Sequence, residues 1–212
     1  MKNRGCFLLL LLLTLADNAQ AGSAQTSAVL VQVYDYAGLS PEALHEFVAR
    51  THEILASAGV SLEVDICKRA GAPCGSHIEG ARQLVIRVVP DTGKNMKNVR
   101  LETLGLSIAD HDGGTYGSVF LEPAEEKASD ANLPRIIVLA YAAAHEIGHL
   151  LLGNRAHTPQ GLMKATWGPN DFLAMAQDGF HFSPEQAREL AARYGSSHRA
   201  GPGSDTAVAV RP

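Results

Sequence analysis

The stretch HEIGHLLLGNRAH, His145 to His157, follows an apolar run with which it forms RIIVLAYAAAHEIGHLLL, Arg135 to Leu152. Residues four apart on an α-helix share a face, so His145 and His149 point two imidazoles the same way, one turn apart. A helix that is apolar almost all round is a buried helix. Two histidines and a glutamate inside it are costly unless each polar group has a partner. A divalent cation between the imidazoles is such a partner. Zinc suits best, because it takes neutral histidine nitrogens and leaves one position open to water. Glu146, next in sequence, then lies beside that open position as general base. The alternative is a surface helix that happens to carry two histidines, which the apolar surroundings of these residues disfavour.

Two imidazoles leave a third protein ligand to find. Gly153 can stop the helix in a left-handed conformation, and Asn154 tolerates one too. A short loop then brings His157 back under the helix, well within chain reach. Glu185 and Glu189 on the last helix are rival third ligands, although they lie in or after a capping motif, where glutamate is expected anyway. Asp178 and His181 are more distant candidates.

The helix, turn and following residues resemble the metzincin metallopeptidases. The family pattern places a glycine three residues after the second histidine and a third histidine three further on. Here Leu152 and Arg155 hold those positions, while Gly153 and His157 come one and two residues later, so the pattern is stretched. The passage HTPQGLM, His157 to Met163, is similar to the family's methionine turn, which implies that Met163 is an apolar floor beneath the metal; a core methionine is the plain alternative. The family's tyrosine two residues after that methionine is replaced by Ala165. This leaves a second transition-state donor unassigned, with Tyr194, His181 and Arg155 as candidates. A downstream glutamate ligand would instead make the site gluzincin-like. The resemblance implies a metzincin-like α+β or α/β fold. It comprises an N-terminal twisted mixed sheet with a crossover helix and a buried active-site helix, and a small, mostly helical C-terminal lobe. It further implies one catalytic Zn²⁺, a peptide or protein substrate, and an edge strand above the cleft, either Leu104 to Ile108 or Gly117 to Leu121.

The rest of the chain agrees with this architecture. Ala28 to Tyr36 and Val60 to Ile66 read as strands, and Gln83 to Val89 as a third, its apolar run suggesting burial on both faces. Between the first two, Ser40 caps a helix whose first residue is Pro41. Strand, helix, strand in that order gives a parallel crossover. Asp110 to Gly114 is a turn; its oxygen-bearing side chains also suit calcium, but Asp and Gly are ordinary turn residues. Pro134 opens the buried helix, with Asn132 or Leu133 as its cap. Asn170 to Gln177 is a short helix, and Ser183 with Gln186 forms a capping box for the last one.

The N-terminus is a targeting segment: Lys2 and Arg4, an apolar block from Cys6 to Leu15, and Ala19-Gln20-Ala21 as a cleavage site. Residues 1–21 are thus expected to be a signal peptide, 22–157 a lobe with the sheet and zinc helix, 158–195 a C-terminal lobe, and 196–212 a disordered tail. Export to the cell exterior or periplasm leaves Cys67 and Cys74 as an even pair in an oxidising compartment, hence a disulfide. The block is too short to span a membrane comfortably, so no stable membrane span is expected after cleavage. With a formal net charge of -4 and no basic stripe, the chain offers nothing to nucleic acid. A monomer is expected. His45, His52, His77, His111 and His198 are read as solvated surface residues. The function expected is that of a secreted zinc-dependent endopeptidase. The alternatives are an inactive zinc-binding interaction module and a zinc hydrolase acting on a non-protein amide.

Overall fold

A computed structural model describes residues 28–67, 74, 75, 78, 80–92, 103–195 and 210–211. The expected signal peptide, and His77 and His198, lie outside the described residues. So does residue 196–212 apart from Val210–Arg211.

Strand β1 (Val29–Asp35) is followed by α1 (Pro41–Ala56), β2 (Leu62–Cys67) and β3 (Arg82–Val89). A hairpin of β4 (Gly105–Asp110) and β5 (Gly113–Phe120) leads into α2 (Leu121–Ala131) and α3 (Arg135–Leu152). Then come α4 (Pro169–Ala176), α5 (Pro184–Tyr194) and the two-residue β6 (Val210–Arg211). The sheet order is β4-β5-β3-β1-β2-β6. β1 runs parallel to β2 and β3, β3 parallel to β5, and β4 antiparallel to β5, so the sheet is mixed.

The in-register rows Val31, Val64, Leu84 and Val33, Ile66, Ile86 fill one face of the sheet. Phe47, Val48 and Leu55 of α1 and Ala143, Ile147 and Leu151 of α3 belong to the same core. Ser40 Oγ accepts from Ala43 N and starts α1 where expected. β3 differs from expectation: Leu84, Ile86 and Val88 are buried, but Gln83 and Arg87 are exposed, so only one face is fully covered. His52 also differs. It is 6% exposed, and burial depresses its pKa.

Helix α2 was not legible in the sequence, since its buried face consists of Pro123, Ala124 and Ala128, too small a signal to stand out. Asn132 closes α2 in the left-handed conformation and does not cap α3; Pro134 occupies that place. Among the described residues α3 is the one helix long and apolar enough to cross a membrane, but 78% of it is buried inside the fold. Cys67 and Cys74 form a disulfide with Cα atoms 5.3 Å apart.

Candidate metal centre

α3 runs beneath the β4–β5 hairpin and carries His145, Glu146 and His149 on its cleft-facing side. It ends at Gly153, whose φ of 94° and ψ of 174° lie in a region that only glycine occupies readily. This is an extended positive-φ conformation and not the left-handed helical cap expected. A side chain there would also meet the His111 carbonyl at 2.5 Å. The chain end is thereby tucked against the hairpin, and Asn154 N donates to Asp110 O at 2.7 Å.

From this point the chain turns back. Gln186 Nε2 of α5 donates to Ala156 O at 2.7 Å and pins the residue before His157. His157 then meets His149 with Nε2 atoms 3.1 Å apart. Ligand nitrogens of His145, His149 and His157 all lie within 4.8 Å of one another. Two zinc-bound imidazole nitrogens at tetrahedral angles would be about 3.3 Å apart, given bonds of about 2.0–2.1 Å.

The opposite nitrogens are engaged by backbone. His145 Nδ1 is 2.8 Å from Leu162 O, and His149 Nδ1 is 3.3 Å from Gly153 O. Each carbonyl accepts a hydrogen bond from Nδ1–H, so that Nε2 presents its lone pair to the cluster. Burial holds both rings neutral: desolvation, with smaller effects of the neighbouring imidazoles, lowers His145 to about 4 and depresses His149. Neutral, correctly oriented imidazoles are the donor set that zinc requires, so these residues fit the ion.

Glu146 is 6% exposed, and burial raises its pKa to about 7, with a hydrogen bond from Ser107 opposing the rise. The missing side chain of Gly105 leaves room for the carboxyl, since a Cβ there would stand 2.6 Å from Glu146 Oε1. Met163 is fully buried under the helix against Gly148. Thr158 N donates to Met163 O at 3.0 Å and closes the turn between them.

The triad, Glu146 and both sides of the cleft enclose about 590 Å³. Its upper rim is β4, which is the sheet edge among the described residues; β5 is flanked on both sides and is not the edge. Trp167 and Phe172 form part of the lower wall. The Trp167 ring meets His145 edge-on at 5.7 Å, and its Nε1 donates to Leu162 O, the same carbonyl that orients His145. Trp167, Ser107 and Gln186 escaped the sequence reading as parts of the centre because nothing local distinguishes them.

The other candidates lie elsewhere. Glu185 and Glu189 pair with Arg188 and Arg193 on the surface of α5. Asp178 pairs with Arg50, and His181 Nδ1 is 3.3 Å from Ser57 Oγ. Tyr194 donates to Leu151 O, and Arg155 is exposed outside the cleft lining. In the Asp110 to Gly114 turn Asp110, His111 and Asp112 are exposed and Gly113 is buried, with Asp110 Oδ1 accepting from Asp112 N and His111 beside Asp112.

No known protein-family profile matches the sequence, and no curated protein matches it. The structure is similar to the crystal structure of archaemetzincin from Methanopyrus kandleri, with a TM-score of 0.52 and 16% identity, covering 78% of this chain and 95% of that one. At this identity the likeness is one of fold: the mixed sheet, the buried helix beneath its edge and the helical C-terminal part form a metzincin-like α/β architecture.

Proposed function

We propose that this chain is a zinc-dependent endopeptidase that acts outside the cytoplasm, as a monomer, on peptide or protein substrates. The observation that carries the reading is the convergence of three imidazoles beside a buried carboxylic acid, in a cleft overhung by β4, the sheet edge among the described residues. The likeness in fold to archaemetzincin supports it.

His145, His149 and His157 would hold the ion. Zinc, when bound, lowers the pKa of water to about 7 and polarises a carbonyl oxygen. Glu146 accepts a proton from the attacking water and delivers it to the departing nitrogen as the C–N bond breaks. A carboxyl whose affinity for protons is balanced near neutrality suits both transfers. The edge of β4, which no other described strand covers, would present backbone donors and acceptors to an extended peptide adding to the sheet as one more strand. Leu162 O and Gly153 O fix the imidazole orientations throughout.

The test is cleavage of casein and of a broad peptide library by the zinc-loaded chain and its Glu146→Gln variant. Cleavage lost by roughly 100-fold or more in the variant is expected for a general base. Equal rates refute the role of Glu146. Zinc at one equivalent with no cleavage of any peptide refutes the peptidase reading.

A further inference from the structure

Lys127 of α2 lines the same cleft as the imidazoles, as do Ala142 of α3 and Phe172 of α4. It is half-buried. Among the described residues it makes no ion pair, whereas the acidic neighbour Glu125 turns outward to Arg135. The other cleft lysine, Lys164, is neutralised by Asp171. Among the described residues Glu146 is the one carboxylate in the lining, and the amide and hydroxyl groups there, Thr103, Ser107, Asn154 and Thr166, are uncharged. Among the described residues the lining thus holds one lysine without an ion pair, together with small and aromatic apolar residues. A lysine held in such surroundings keeps its stem against apolar surface and offers its ammonium to an anion.

We propose that Lys127 determines specificity by receiving a carboxylate, so that the preferred substrate carries an Asp or Glu side chain near the scissile bond. The inference rests on the peptidase reading and names the substrate class of the same cleft. Apolar contact with Ala142 and Phe172 accommodates the short methylene stem, and the ammonium donates to the carboxylate. A charge-assisted hydrogen bond in a partly desolvated cleft is worth more than its exposed counterpart. A neutral or basic residue at that position leaves the ammonium unpaired or repelled.

Binding is measured in the zinc-loaded Glu146→Gln variant, which separates recognition from turnover. The probes are end-blocked peptides carrying glutamate, glutamine or lysine at one varied position, plus a glutamine peptide with a free C-terminus. The glutamate peptide is expected to bind roughly tenfold or more tightly than the blocked glutamine peptide. Lys127→Gln should abolish that preference, and Lys127→Glu should turn it toward lysine. Tight binding of the free-C-terminus peptide alone would retain Lys127 as a carboxylate receptor but overturn the side-chain assignment. Equal binding of all peptides, or a glutamate preference that survives Lys127→Gln, overturns the proposal. Absence of cleavage by the unmodified chain, with the binding preference intact, overturns the peptidase reading instead.

Discussion

Met163 and Gly148 are packed so closely that a Cβ on the glycine would stand 2.5 Å from the methionine Sδ. The turn beneath the centre is therefore fitted to a helix with no side chain at that point. Gly148→Ala should force the sulfur or the helix to move and destabilise the fold by about 1–3 kcal/mol, despite the better helix propensity of alanine. Thermal unfolding of the two proteins checks this. An unchanged or higher midpoint would show that the turn is free to yield.

Removing His157 should abolish tight zinc binding, since two imidazoles remain and the loop residue that completes the triad is gone. Zinc content after dialysis should fall from one equivalent to a small fraction of it. Glu185→Ala and Glu189→Ala should leave it unchanged, because both carboxylates are held by arginines on α5. Metal loss in either glutamate variant would contradict the arrangement.

The metal-free protein has two opposing pH dependences at its centre. Glu146 keeps its proton up to about 7 when folded but only to 4.5 when unfolded, so its contribution to stability is full below 4.5 and is lost as pH rises through 7. Across that window the loss is about 3 kcal/mol. His145 has the reverse sign: its pKa falls from 6.5 to about 4, so its contribution is full above 6.5 and is lost as pH falls through 4. His149 and His52 act in the same direction as His145. In chelator, the melting temperature of Glu146→Gln relative to wild type should therefore rise by several degrees from pH 4.5 to 8. A flat difference would mean that folding does not raise the Glu146 pKa.

The Cys67–Cys74 disulfide closes a short loop at the end of β2. Replacing both cysteines by serine should lower stability by roughly 2.5 kcal/mol in the chain-entropy view. Equilibrium unfolding in denaturant reads the loss directly. The triad should survive, since both cysteines are far from α3 in sequence and neither is among the described residues that line the cleft.

Much of this architecture could be read along the chain where one local pattern dominates. The capping residues Ser40 and Ser183, the alternation of β2 and the unbroken apolar run of α3 each declare their element. His145, Glu146 and His149 were legible because helical spacing alone brings them together. Lys127 and Ser107 were not, because they reach the cleft from α2 and β4 through tertiary packing that no local pattern encodes. The same reason hid His52: it follows the buried Thr51 on a helix whose inward face is wider than its apolar residues suggest. Helix α2 was missed because alanines at positions 124 and 128 pack closely without a strong hydrophobic signature.

The chain contains a single tryptophan, and Trp167 shares its carbonyl acceptor with His145 while its ring edge faces that imidazole. The protein therefore has a built-in optical probe at its centre. Ion capture that draws on the His145 ring must alter the indole's immediate surroundings, so fluorescence emission alone can follow loading in real time, without label or chromogenic substrate.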